Sequence, residues 1–463
     1  MQSRESDLAT ITTMFERARL LSLRGRGDEA RQAYLDLLAL QPTHFAGLSN
    51  LGTLLAAGGW RAAAKTAYGE ALRHHPAEAD GHVNLANLLL QERDLTAARR
   101  HYRTALVYHP FHQAAHQGLA HLSTALGEEA AAARHRRAGF LGNAVTELPY
   151  EGEGEAVPVL LLVSSTGGDI PIRRFLDPRR YRTTVVVADY LDPTQPRPPH
   201  RLVVNAVGDA DLCRPALDMA RTIVAASPAP VINHPEAVLA TGRIANAARF
   251  KGVPGVVTPA MASLPRHLLA GDGAAAALAQ QGLGFPLLLR TPGFHAGQYF
   301  RKVDGPGDLP AVLAALPGDE LTAIEFLDAK GTDGKIRKYR VMFIDGRLYP
   351  LHAAVSTDWM VHYFSAEMAE NPENRAIDGA FLADMEGVLG AAAMAALGRV
   401  ADILGLDYAG ADFSLGRGGE VLLFEANATM VVNPPDPDPR WAYRRAPVER
   451  ILAAIAELLL SRT

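Results

Sequence analysis

GLDYAGADFSLGRGGEVLLFEANATM, residues 405–430, reads as a β-hairpin. The turn is GRGG (416–419), whose glycines tolerate the backbone angles of a tight reversal. Successive strand residues point to opposite faces, so Glu425 and Asn427, two apart on the second strand, share one face. Asp412 on the first strand can lie opposite them. Two carboxylates and an amide oxygen then converge. Hard oxygen ligands without sulfur or imidazole suit Mg²⁺ that also holds substrate phosphates, with Mn²⁺ the alternative. Glu425 follows the apolar run VLLF, where an unpaired carboxylate is costly to bury, so it calls for a partner, and a cation is the natural one.

This hairpin resembles the metal-binding end of the ATP-grasp superfamily, whose signature is an Asp followed by Glu-x-Asn on the next strand. The resemblance is to its glutathione-synthetase-like and RimK-like members, and it continues upstream in order. ATGRIANAARFKGVPGVVTPA (240–260) resembles the helix that opens that fold, with Arg243 where the family has a phosphate-contacting lysine. FPLLLRTPGFHAGQYFRKV (285–303) resembles the strand and glycine loop that cover the triphosphate. There Arg290 replaces a second lysine, and His295 in the loop is a candidate phosphate contact. Arginine keeps the charge and adds a planar, two-pronged phosphate contact. LTAIEFLDA (321–329) resembles the strand that reads adenine and ribose, which implies Phe326 and Leu327 beside the base and Glu325 or Asp328 at the nucleotide. GKIRKYRVMFIDGRLYP (334–350) resembles the next hairpin, whose Arg340 is expected at the transferred phosphate and the acyl group. His352, Trp359 and His362 follow as candidates for the acceptor pocket, and Arg444, in the proline-rich loop after the hairpin, as a reader of a substrate carboxylate or phosphate.

Upstream, short apolar runs alternate with helix-like stretches. VPVLLLVSS (157–165), RTTVVVADY (182–190), HRLVVNAVGD (200–209) and APVINHP (229–235) look like buried strands of a parallel α/β sheet. SSTGGDIPI (164–172) lacks the G-x-G-x-x-G spacing of a dinucleotide site. Asp209 and Asp211 end a strand and can face a cleft, although acids there are ordinarily turn residues.

The first part of the chain repeats every 34 residues, from Ile11, Phe45, Ala79 and Gln113. Small residues stand at the eighth position (Ala18, Gly52, Ala86, Ala120) and at the twentieth (Ala30, Ala64, Ala98, Ala132). Tyr34, Tyr68 and Tyr102 stand at the twenty-fourth, where Arg136 breaks the pattern, and Pro42, Pro76 and Pro110 at the thirty-second. Small residues let paired helices approach, the aromatic fills the gap, and proline stops the second helix. This resembles the tetratricopeptide repeat, which implies a concave groove for a peptide or protein partner. Histidines are frequent here, among them His74, His75, His82, His101, His109, His112, His116 and His121. Without a consistent ligand spacing they read as surface helix positions.

The expected architecture is therefore multidomain. An all-α repeat solenoid (1–142) leads through a linker (143–156) to an α/β pre-ATP-grasp domain (157–235) and an α+β ATP-grasp domain (236–463). The 463 residues suit several cores, and 48% apolar with 21% charged residues is a globular composition. A net charge of −4 argues for no nucleic-acid partner, and the single Cys213 excludes an internal disulfide. No apolar run approaches the length of a membrane span, and MQSRESDLATITT lacks the apolar core of a signal peptide, so a cytoplasmic location is expected. The resemblance implies an ATP-dependent ligase. It would join a carboxylate to an amine or other nucleophile through an acyl phosphate, on a peptide or protein held by the repeats. A kinase acting on a hydroxyl, or an ATP-sensing adaptor, are the alternatives.

Overall fold

The computed structural model describes residues 2–194, 196–294, 297–361, 363 and 366–463. The chain divides into two compact units, Met1–Asn143 and Ala144–Thr463.

Among the described residues, the first unit is a run of eight helices in four antiparallel pairs: α1 (Gln2–Leu23) with α2 (Gly27–Leu40), α3 (Phe45–Ala57) with α4 (Arg61–His74), α5 (Ala79–Gln91) with α6 (Leu95–Tyr108), and α7 (Gln113–Ala125) with α8 (Glu129–Phe140). The repeated small residues and aromatics make the pairs. Ala30, Ala64, Ala98 and Ala132 are completely buried, and Tyr34, Tyr68 and Tyr102 nearly so. A Cβ on Gly52 would meet the Tyr68 ring at 2.6 Å, so that aromatic packs directly on the small position. The fourth pair closes although it lacks the tyrosine. Arg136 is buried in that place, donates to Thr124 Oγ1 at 3.0 Å and pairs with Glu129.

Among the described residues, the second unit is a mixed α/β region with three sheets. The first has the order β1-β3-β2-β4-β5, formed by β1 (Val145–Glu147), β2 (Val157–Val163), β3 (Tyr181–Val187), β4 (Leu202–Asn205) and β5 (Val231–Ile232). Strands β2 to β5 are parallel, as their apolar runs imply. The edge strand β1 is antiparallel to β3 and lies in the stretch read as linker. It is exposed and held through its backbone, so its side chains carry no strand pattern.

Two more sheets follow α9 (Arg214–Ala225), α10 (Pro235–Leu239) and α11 (Arg243–Phe250). An antiparallel sheet of order β7-β10-β8-β9 contains β7 (Met261–Pro265), β8 (Leu287–Arg290), β9 (Phe300–Val303) and β10 (Glu320–Glu325). The other has the order β12-β11-β13-β14-β6, from β6 (Val256–Val257), β11 (Ile336–Ile344), β12 (Arg347–Ser356), β13 (Tyr408–Leu415) and β14 (Val421–Asn427). One apolar core runs from the first sheet (Leu160, Val203) into this third sheet (Phe343, Phe413) and its covering helices (Leu397, Ile455). The β7–β10 sheet keeps its own core around Leu287, Leu289 and Leu321. No helix among the described residues is long and apolar enough to cross a membrane.

Candidate functional site

The hairpin of residues 405–430 forms as read, with β13 and β14 antiparallel around the glycine turn. Its register sets Asp412 opposite Glu425 and Gly410 opposite Asn427, with a bulge between Asp412 and Phe413. On its other side β13 pairs with β11, which puts Arg340 directly across from Asp412. Arg340 donates Nε to Asp412 Oδ1 at 2.5 Å and Nη2 to Oδ2 at 2.8 Å. Lys338 Nζ lies 3.1 Å from the same Oδ2. Burial opposes ionisation of Asp412, but Lys338 and Arg340 outweigh it and hold the carboxyl below the carboxylate range. Lys338 is absent from the reading of the sequence. Its signal was there, since residues two apart on a strand share a face, as Lys338 and Arg340 do.

Glu425 is held from a different direction. Arg243, the first residue of α11, donates Nη2 to Glu425 Oε1 at 2.6 Å, and Asn427 Nδ2 donates to the same oxygen at 3.0 Å. Burial raises the Glu425 pKa and Arg243 lowers it, with a net result below the ordinary value. Asn427 Oδ1 accepts from the Thr429 N–H and hydroxyl at 3.0 and 2.9 Å.

A cleft opens on this edge, lined by Glu425, Asn427, Thr429 and Arg243 together with the loop Gly208–Asp211 after β4. This loop lies beyond the carboxyl end of a parallel strand, where ligands of such sheets bind. Close packing sets its width: a Cβ on Gly208 would stand 3.1 Å from Thr429 Cγ2 and one on Gly242 2.9 Å from Asp211 Oδ1. Asp211 Oδ2 accepts from the Arg243 N–H at 3.0 Å, so the two strand-end acids line the cleft as well as shaping a turn.

Arg290 ends β8, and its Nη2 donates to the Phe294 carbonyl in the glycine loop. Burial first, then the charge of Arg243, lower its pKa to about 10, while Glu425, Asp209 and Asp211 act the other way. Arg290 is therefore within electrostatic reach of the cleft. His295 and His362 lie outside the described residues.

No family model matches the chain, and no curated protein matches it. Similar solved structures include a crystal structure of MamA at 18% identity and TM-score 0.25, covering 27% of this chain and 72% of that one. Another is MamA 41-end from Desulfovibrio magneticus RS-1, at 19% identity and TM-score 0.25, covering 27% of this chain and 71% of that one. A third is YrrB, described as a TPR protein with an unusual peptide-binding site, at 18% identity and TM-score 0.25, covering 27% and 66% respectively. The repeat architecture of the first unit rests on its own eight helices.

The remaining predicted residues fall into two groups. Glu325, Phe326, Leu327 and Asp328 stand at and after the end of β10. Glu325 Oε2 accepts from the Ala260 N–H at 2.9 Å, Phe326 has Lys302 Nζ 4.6 Å from its ring centre, and Asp328 Oδ1 accepts from the Lys330 N–H at 3.1 Å. Leu327 packs on an apolar cluster with Ala329 and Ile336. The second group surrounds β12. His352 is buried opposite Arg340, with its ring 4.7 Å from that of Tyr363. Burial, then Arg340, keeps it well below the ordinary histidine pKa, hence neutral. Trp359 lays its ring edge-on to Phe300 at 5.4 Å, a packing contact with β9. The Arg444 guanidinium stacks over Tyr363 at 4.5 Å, and its Nε is buried 3.7 Å from Asp378 Oδ2. Asp378 is fully buried and accepts from Tyr443 at 2.7 Å, Tyr363 at 3.2 Å and the Ala353 N–H at 2.7 Å.

The donor set at the hairpin suits a hard divalent cation. Asp412 and Glu425 are ladder partners, and an ionised carboxylate has about four lone-pair sites. The arginine contacts leave oxygen capacity on both. Of the residues that would hold Mg²⁺, Asp412 and Glu425 keep oxygen capacity, whereas the Asn427 oxygen accepts twice from Thr429 and would have to release it to become a ligand.

Proposed function

We propose that the second unit is an ATP-grasp ligase that uses Mg-ATP to join a carboxylate to an amine or other nucleophile. The observation that carries this reading is the ladder in which Asp412 faces Glu425 and Arg340 faces Asp412, beside a cleft entered by Arg243. Three oxygen donors and three guanidiniums (Arg243, Arg290 and Arg340) are a set suited to phosphates. A guanidinium has five N–H donors, so Arg243 and Arg340 keep donors beyond those on Glu425 and Asp412.

In the reaction, the γ-phosphoryl group passes from ATP to a substrate carboxylate oxygen and ADP leaves. The nucleophile then attacks the acyl carbon and phosphate departs with the carbon–oxygen bond. The arginines stabilise charge spread over the transferred group, the term that dominates such transfers. His352 is neutral and Arg444 is held by Tyr363 and Asp378, which suits them to orient the acceptor. The repeat unit recruits the acceptor, a peptide or protein.

The test is calorimetry of the full chain with ATP, with and without Mg²⁺. Saturable binding that needs the metal is expected. A folded protein that binds no nucleoside triphosphate overturns the reading.

A further inference from the structure

Two histidine pairs stand inside the repeat unit, at equivalent places in the third and fourth helix pairs. His82 on α5 faces His101 on α6, Nδ1 to Nδ1, at 3.0 Å, and His116 on α7 faces His135 on α8 in the same way at 2.9 Å. His82 and His116 are 34 residues apart, as are His101 and His135. The outer nitrogen is braced identically in both: His82 Nε2 lies 3.0 Å from the Pro76 carbonyl and His116 Nε2 3.0 Å from that of Pro110. Because a carbonyl only accepts, that Nε2 carries the proton, and the Nδ1 lone pair points at the partner ring.

Packing alone does not ask for histidine here. The second repeat has Leu48 and Ala67 at the same two positions, both buried, and its helices pair just as closely. Replacing an apolar contact by two imidazoles places polar atoms where none is needed. The arrangement has the features of a ligand pair for a transition metal. Imidazole is a borderline donor that suits zinc, copper and nickel. A ligating histidine generally donates its other N–H to a carbonyl, as His82 and His116 do. Two nitrogens about 2.0–2.1 Å from one tetrahedral ion stand about 3.3 Å apart, a small opening of the observed pairs.

We infer that each pair, His82–His101 and His116–His135, binds one divalent transition-metal ion of the Zn²⁺, Ni²⁺ or Cu²⁺ class. The ion ties the two helices of its repeat together. His101 and His135 shift their proton from Nδ1 to Nε2 on binding, so neutral pairs release none, and water completes the coordination.

The experiment uses the full chain without a polyhistidine tag, stripped with chelator, equilibrated with Zn²⁺ alone, desalted and counted for metal. The comparison is a variant carrying the apolar pair of the second repeat at both places: His82→Leu, His101→Ala, His116→Leu and His135→Ala. The wild type is expected to hold two more ions per chain than this variant, and one more than a variant with a single pair replaced. Zn²⁺ should raise the wild-type helical melting temperature, and Mg²⁺ should not. If the fourfold variant loses helicity, His101→Gln with His135→Gln gives the same count while keeping a polar contact. Equal metal content in wild type and variants overturns the inference and leaves the pairs as neutral hydrogen bonds.

Discussion

Arg340 lies directly across the β11–β13 ladder from Asp412 and grips its carboxylate through two hydrogen bonds, of 2.5 and 2.8 Å. Asp412 is 4% exposed, so the pair is a buried one, with Lys338 as a second cation. Removing one member of such a pair strands the other's charge. Arg340→Met should therefore destabilise the second unit by about 3 kcal/mol, the lower end for broken buried pairs, because Lys338 remains. The double variant with Asp412→Asn should recover part of that loss. The pH dependence has a defined sign. The folded Asp412 pKa lies below its unfolded value, so its contribution is complete above about pH 4 and disappears as pH falls through the folded value. Urea midpoints across pH 3–7 should show Arg340→Met losing acid resistance relative to wild type. Equal midpoints would mean that the fork contributes nothing.

Asp169 shows the opposite linkage. Burial first, and the Asp189 carboxylate in addition, raise its pKa to about 7, against the Ser164 N–H it accepts from at 2.9 Å. Between about pH 4 and 7 the folded chain holds a proton that the unfolded chain has lost, so stability falls as pH rises through that window. The loss amounts to at most about 4 kcal/mol. Asp169→Asn cannot ionise and keeps an oxygen for the Ser164 N–H. Its urea midpoint should gain on wild type from pH 4 to 7 and hold its advantage above. Parallel pH profiles would show that Asp169 is already ionised at pH 5.

The parts legible in the sequence are those whose pattern is local. The GRGG turn sets the first pairs of β13 and β14, from Leu415–Val421 to Phe413–Leu423, and the bulge beyond Phe413, which no local pattern announces, then brings Asp412 opposite Glu425. The 34-residue period announces paired helices through residues that pack within each pair. What escaped depends on contacts between elements. Lys338 reaches Asp412 only because β11 chooses β13 as a neighbour. His82 and His101 meet across two helices, 19 residues apart, which neither helix's periodicity reveals, so they read as surface positions. Strand β1 is held by backbone bonds to β3, and Arg136 replaces an aromatic by finding Thr124 and Glu129.

Tyr102 tests the repeat unit separately. It is completely buried on α6, its ring against Gly118 of α7, and its hydroxyl donates to Asn87 Oδ1 on α5 at 2.6 Å. Tyr102→Phe removes that donor and should cost about 1–2 kcal/mol. Tyr102→Ala adds a cavity and should cost about 3–5 kcal/mol. Neighbouring repeats share interfaces, so the loss should appear as earlier melting of helical circular dichroism. A Phe variant as costly as Ala would show that the hydroxyl, not the ring, governs the site.

Glu425→Gln addresses the proposed chemistry itself. Glu425 faces Asp412 across the hairpin and receives both Arg243 and Asn427 on Oε1. Gln retains one acceptor oxygen but no charge, so Arg243 keeps a hydrogen-bond partner while the proposed cation loses an anionic ligand. Loss of one charge partner in a transferring site costs on the order of 10²-fold in rate. ADP release should fall at least that far, with thermal melting in the absence of ATP little changed. The two measurements belong together, because a Glu425 that served only Arg243 would lower the melting temperature and leave ADP release per folded molecule intact. That second outcome would refute the metal assignment. Mass spectrometry of the wild-type product then distinguishes the chemistry. Two substrates joined with loss of water, with free phosphate released, mark a ligase, whereas a phosphoryl group gained on a hydroxyl marks a kinase.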